Sequence, residues 1–394
     1  MSYRMSVSFL CIAIVVGSAS AQENLRQLLP TDEAVARNGL VRRWYSYAPV
    51  DGARETVQRV MVAGNQIHLQ TNASRLYVFD SETGKQLWSA QLGTPLPGQF
   101  GSALNSKSVF AINGSSLYRL SRDEGAMIWS IRLPESPNAA PAADEERVIV
   151  STRNGRIYVY NINTREVVWF YQTNGPISIP AALLDDKYAC ASADGKMYVF
   201  QPSSRNPLFR YYPETHKPVS APMGVWGRTV LVPSQDYNVY AVDARNGETL
   251  WRYSAGNEIR RALTVIDDEV YVAPEDNGMH VLNVENGSRL WWHPRAQEFV
   301  TASKSRVYAA DDHGQLLMLD RANGRQLGVM DTHRFDFRVL NDSSDRLILV
   351  TKGGLIVCLH EKENNEPVMH KKIQAASPAG IEVKKRSTKE PKAP

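Results

Sequence analysis

Residues 76–79, Leu-Tyr-Val-Phe, form a short apolar run. A polar turn follows, Asp80-Ser81-Glu82-Thr83-Gly84, and the chain returns through Lys85-Gln86-Leu87-Trp88, a second strand that carries a tryptophan. Period-two patterning around a glycine-closed turn predicts a β-hairpin. The pattern recurs. First-strand motifs begin near residues 76, 117, 157, 197, 239, 279, 316 and 355. The tryptophan-equivalent positions 88, 129, 169, 209, 251, 291 and 328 are 41, 40, 40, 42, 40 and 37 residues apart. Periods of about 40 residues belong to four-stranded propeller blades or paired-helix repeats. β-branched and aromatic residues, interrupted every few positions by Asp, Asn or Gly, exclude the helices.

Each unit holds two earlier strands. Across residues 136–170 the pattern predicts strands at 139–143, 147–152, 156–160 and 167–170, with turns at Asp144-Glu145-Glu146 and Asn154-Gly155. In the last turn of a unit a polar side chain such as Asp80, Thr83 or Asn246 can accept main-chain N–H groups, and a glycine such as Gly84 supplies the positive φ of a bulged hairpin. Arg165 and Arg205 replace that glycine, so these two turns are expected to depart from the pattern.

The eighth unit lacks its fourth strand, while residues 40–47, with Trp44, form a fourth strand without a unit. The two halves complete one another. The predicted fold is all-β, an eight-bladed β-propeller of four-stranded antiparallel blades, the last closed by the N-terminal strand. Closure is expected to leave no exposed sheet edge. Trp44, Trp88, Trp129, Trp169, Phe209, Trp251 and Trp291 are assigned to docking each blade against the next, each indole N–H needing a partner. Gly328 stands at the remaining position.

Residues outside the repeats divide simply. Arg4, the apolar run 7–16 and Ala19-Ser20-Ala21 predict a signal peptide over 1–21, hence an exported chain of the periplasm or bacterial cell envelope. Residues 22–38 read as a polar leader of little structure with a short helical possibility, 39–360 as the propeller and 361–394 as a basic disordered tail. That tail is read as solvated, with a tether to an anionic envelope surface as the sharper reading. No later segment is long and apolar enough to span a membrane. Beyond Cys11 in the signal segment, Cys190 and Cys358 fall on opposite sides of the ring and are expected as unpaired thiols. With 22% charged residues and a net charge of +4, neither a polyanion partner nor nucleic acid is indicated.

The form D-x-x-T-G-x-x-L-W at residues 80–88, repeated at about 40 residues, resembles the pyrroloquinoline-quinone-type propeller repeat. The resemblance covers residues 39–360. It implies either the quinoprotein dehydrogenases, which bind the quinone with calcium over the ring axis, or non-catalytic propellers of the BamB kind. The vicinal cysteine pair typical of the dehydrogenases is missing, and Asp185-Asp186, Asp267-Asp268 and Asp311-Asp312 sit in turns where Asp is ordinary. No catalytic, cofactor-binding or metal-binding residues are assigned, and His313 beside Asp311 and Asp312 reads as part of a turn.

The expectation is therefore a protein-interaction scaffold of the envelope, with outer-membrane protein assembly the nearest context and an envelope protein or peptide segment the partner. The alternative is a quinone- or glycan-binding propeller. A candidate interaction face is read from the loops that carry second-to-third-strand turns and blade connections. It comprises Tyr211, Tyr212, His216, Arg260, Arg261, Trp292, His293 and Arg295, with Asp236, Glu275, Asp276 and Asp312 beside them; aromatic and Arg side chains are the usual anchors of such faces.

Overall fold

The computed structural model describes residues 27–96 and 99–370. The expected signal peptide, Cys11 and the basic segment from 371 lie outside the described residues. Thirty-two strands assemble into eight four-stranded antiparallel sheets. Blade 1 spans residues 57–91, and blades 2 to 7 span 99–132, 142–172, 182–211, 224–254, 264–293 and 298–331. Blade 8 takes three strands from residues 337–361, and Leu40–Tyr47 adds the fourth, outermost one. Trp44 stands opposite Cys358 in that pairing, and Tyr47 opposite Leu355. Some sequence-read strands shorten: blade 3 begins only at Ala142–Ala143, because Pro141 has no N–H to give the ladder.

The core lies between blades. Second and third strands carry almost unbroken runs of Val, Ile, Leu and Tyr that are buried on both faces, as strands sandwiched between neighbours must be. Cys190 and Cys358 sit within these layers as free, buried thiols.

Seven of the eight outer strands turn one large ring toward the following blade. The Trp88 indole N–H donates to Arg122 O at 2.8 Å, Trp129 to Ile162 O at 2.9 Å, and Trp169 to Pro202 O at 2.8 Å. Trp251 donates to Val284 O at 2.9 Å, Trp291 to Arg321 O at 2.7 Å, and Trp44, across the closure, to Ser81 O at 3.2 Å. Each acceptor immediately follows the Asp, Asn, Ser or Gln that opens the next blade's last turn. In blade 1 that residue is Asp80, whose Oδ1 accepts from Glu82 N at 3.1 Å and Thr83 N at 2.8 Å. Phe209 has no N–H to donate and packs against Gly247 instead.

Three expectations need correction. The Arg165 turn keeps the pattern: Arg165 adopts φ +68°, and Asn161 N→Glu166 O at 2.9 Å repeats Asp80 N→Lys85 O at 2.9 Å. The turn's own hydrogen bonds, with Asn161 Oδ1 accepting from Asn163 N at 2.9 Å and Thr164 N at 3.0 Å, hold a non-glycine residue in the left-handed region there. The Arg205 turn does depart, closing through Ser204 N→Gln201 O at 3.1 Å.

Closure does not abolish sheet edges. The outermost strand of every blade is paired on one side only, because closing a ring joins blade faces while outer edges still point radially outward.

The leader contains a helix, α1 (Asp32–Arg37), N-capped by Thr31 Oγ1 at 3.2 Å from Ala34 N. Val35 packs it onto Leu40, Met330 and Phe335 at blades 7 and 8. The residue after α1, Asn38, fills the place of the missing tryptophan: a Cβ built on Gly328 would stand 2.7 Å from Asn38 Oδ1.

Order also persists beyond residue 360. Lys362 N donates to Gly39 O, Asp345 N to Val368 O and His370 N to Ser343 O, at 3.1, 3.1 and 3.0 Å.

Candidate functional site

Two surfaces come forward, the loop face read from the sequence and the axial channel. On the loop face each blade connection reaches the second-to-third-strand turn of the next blade. Thr215 Oγ1 donates to Asp236 Oδ2 at 2.6 Å, Arg260 Nε pairs with Glu275 at 3.4 Å, and Arg295 Nη2 donates to Asp311 Oδ2 at 2.8 Å. These polar locks recur at three successive junctions and are partly structural.

The eight nominated residues therefore separate. Tyr211 is buried, with its hydroxyl 3.1 Å from Thr249 Oγ1 in the next blade. His293 is also buried and its Nδ1 has no hydrogen-bond partner among the described residues. Burial, then the nearby Arg295 charge, lowers its pKa. Neither offers a contact surface, which removes both from the face. Tyr212 is exposed, with its ring 5.6 Å from that of His216 and 5.5 Å from Lys196 Nζ. Arg260 and Arg261 are exposed; Arg260 Nη2 also donates to Glu258 at 2.8 Å.

Trp292 stands outward with its N–H on Asn277 O at 2.7 Å. Beneath it lies a group the sequence reading missed. Tyr253 OH is 2.7 Å from His280 Nδ1, and Asn277 Nδ2 donates to Ala255 O at 2.6 Å. Burial lowers the His280 pKa, so the ring is held neutral between blades 5 and 6.

The channel runs along the short inner strands. On its blade 4, 5, 6 and 8 side it opens into a cavity of about 490 Å³ lined by Leu183, Met223, Val225, Leu263, Val265 and Leu340. Asp185, Asp267 and Asp342 stand at its mouth, and Trp226 donates its N–H to Asp267 O at 3.1 Å. A quinone carrying carboxylates meets like charge here, since the lining has no basic side chain. A calcium site needs about six to eight converging oxygens, yet these three carboxylates come from three different blades.

Among the described residues, Asp311, Asp312 and His313 alone bring three acidic or imidazole ligands together, and they lie on the loop face. Asp311 is already committed, accepting from His313 N, Gln315 N and Arg295 at 3.0, 2.8 and 2.8 Å.

A family model described as outer membrane protein assembly factor BamB matches residues 72–206 and again 204–364. This chain belongs to the BamB family. The BamB of Shewanella oneidensis is 22% identical over 288 residues, covering 64% of this chain and 70% of that protein. The Burkholderia pseudomallei BamB is 23% identical over 312 residues, 73% of this chain and 78% of its own length. In structure, BamB from Moraxella catarrhalis superposes with a TM-score of 0.67 at 18% identity, covering 82% of this chain and 98% of that one. A WD40 domain of Sif2 superposes with a TM-score of 0.63 at 12% identity, covering 82% of this chain and 98% of that one. The ring is shared well beyond the BamB family.

Proposed function

We propose that this chain is a non-catalytic scaffold of the bacterial cell envelope that takes part in outer-membrane protein assembly. The observation that carries the reading is the BamB family match, which runs through both halves of the ring. The channel chemistry supports it, being acidic at the mouth and apolar within. So do the bare blades, whose conspicuous Asp, Gly and Trp residues are spent on blade docking. The partner surface is the loop face reduced to Tyr212, His216, Arg260, Arg261 and Trp292, where exposed rings and guanidinium groups suit a peptide or an unpaired strand of an envelope protein.

The test is capture from a bacterial envelope extract with the full-length chain as bait. Recovery of outer-membrane assembly components, reduced by the double change Arg260→Glu and Arg261→Glu, is expected. Unchanged recovery in that variant removes the loop face from the reading. An absorbance change on adding the quinone with calcium overturns the non-catalytic assignment.

A further inference from the structure

Three neighbouring blades turn their innermost strands toward the axial cavity: Ala182–Leu184, Gly224–Trp226 and Thr264–Ile266. Each ends its sheet and is hydrogen-bonded on one side only. In an antiparallel ladder alternate N–H and C=O groups point away from the partner strand. An edge left so is a template for a further strand. The outer edges of the blades carry the same groups, but these three edges stand around a shared apolar space.

The side chains there leave work undone. Leu183, Val225 and Val265 are half-buried, and Leu340, reaching across from blade 8, is 39% exposed. Thr264 is only 4% exposed and lines the same space, yet its Oγ1 has no hydrogen-bond partner among the described residues. A buried hydroxyl left unpaired is costly, and an occupant that brings main-chain N–H and C=O groups can satisfy it.

Charge sits at one end. Asp185, Asp267 and Asp342 occupy three inner-to-second-strand turns, on the face opposite the loop face. Asp267 is engaged by Arg321 Nη2 at 2.9 Å, and Asp342 accepts from Ser343 Oγ at 3.2 Å. Asp185 is exposed and has no hydrogen-bond or ion-pair partner among the described residues. With no basic side chain in the lining, this mouth attracts a cation. A small organic cation would answer the charge and the apolar walls but leave the strand edges unpaired. An extended polypeptide answers all three. About 490 Å³ of space accommodates a stretch of three apolar residues, which spans about 10 Å when extended.

We infer that the axial cavity receives an extended segment of another polypeptide, with apolar residues against Leu183, Val225, Val265 and Leu340 and a Lys or Arg at the mouth beside Asp185. The site is separate from the loop face and goes beyond the scaffold reading, giving the ring a second docking surface on its opposite side.

Calorimetric titration of the full chain with acetyl-Lys-Val-Leu-Val-Lys-amide tests it, since either chain direction puts one lysine at the mouth. One-to-one binding is expected, weaker by about tenfold for the peptide with Glu in place of Lys. Asp185→Lys, in an exposed turn, should weaken binding of the lysine peptide about fivefold and leave the melting temperature unchanged. N–H groups alternate between the two edges of a strand, so methylating the valine nitrogens blocks one edge of the peptide and methylating the others blocks the second. At least one of these two peptides should fail to bind. With photo-leucine at the central position, adducts should fall on residues 182–184, 224–226 or 264–266. Absence of binding at millimolar peptide overturns the inference, as does equal binding of the Glu peptide. Tolerance of both methylated peptides overturns it in favour of a small cation, and adducts at Tyr212 or Trp292 overturn it in favour of the loop face.

Discussion

Gly125 lies flat against the indole of Trp88, so closely that a Cβ on it would stand 2.4 Å from Cε3. The relationship repeats at Gly84 with Trp44, Gly287 with Trp251 and Gly324 with Trp291, at 2.3, 2.5 and 2.4 Å. Glycine is thus required twice, for its φ of +68° and for the approach of the neighbouring blade's ring. Gly125→Ala should destabilise the ring by about 2–4 kcal/mol, combining left-handed strain with overpacking. A denaturant melt measures it; a loss within 0.5 kcal/mol, the scatter of about that size seen for surface changes, contradicts the account.

Arg165 supplies the converse. It holds φ +68° without being glycine, a conformation costing an L-residue about 1–2 kcal/mol. Arg165→Gly should relieve the strain, offset partly by unfolded-chain entropy, for a net gain of about 0.5–1 kcal/mol. Arg205→Gly, where φ is not positive, should give no gain. The pair of melting temperatures decides the matter.

His68 is buried between Ser102 Oγ at 3.1 Å and Gln66 Oε1 at 3.3 Å. Burial, reinforced by the Arg122 charge, lowers its pKa to about 3 from an ordinary 6.5. The unfolded chain therefore takes up a proton near pH 6.5 that the folded chain refuses until about pH 3. Stability is full above this window and falls as pH drops through it, by about 1.4 kcal/mol per pH unit for this one site. His68→Gln should remove that increment from the slope of unfolding free energy against pH. An unchanged slope contradicts the assignment.

Arg346 is fully buried and clamps the chain beyond blade 8, donating to Asn364 O at 2.9 Å and Asn365 O at 2.7 Å. It also faces Glu82 Oε2 at 3.3 Å and Asp345 Oδ1 at 3.5 Å. Arg346→Met leaves the buried Asp345 carboxylate without its cation, while Glu82 keeps Arg43 at 3.4 Å, and should cost about 3–5 kcal/mol. It should also free residues 362–370, so that trypsin cuts after Lys362 under conditions where the parent chain resists. Cleavage at the parent rate contradicts the clamp.

The ring was legible because every signal for it is local or strictly periodic. The tryptophan spacing counts the blades, and the incomplete eighth unit matches the orphan strand at residues 40–47. The loop face was read less well, and for a reason already in the sequence. Side chains alternate across a strand, so Tyr211 shares the inward side with Phe209, and His293 with Trp291. Trp292, between the last two, must point outward. Position along the strand was weighed and parity was not. The channel was not legible, because inner strands such as Ala142–Ala143 and Thr264–Ile266 are two or three residues long and show no period. The Arg165 turn escaped because the Asn161 hydrogen bonds hold its main chain, although residue 165 is not glycine.

The seam at blade 8 sets the timetable of folding. Leu40–Tyr47 leaves the ribosome among the earliest folded residues, yet its hydrogen-bonding partner, residues 355–361, comes more than 300 positions later. Until that partner arrives the first strand has no mate, blade 8 has no outer wall, and the Trp44 contact with Ser81 and Gly84 has no anchored strand behind it. Such long-range pairing makes ring closure the slow step and exposes an incomplete sheet to association while it waits. The last junction also relies on Asn38 where other blades use a ring, so a chain cut short anywhere before residue 355 inherits an open ring rather than a smaller one.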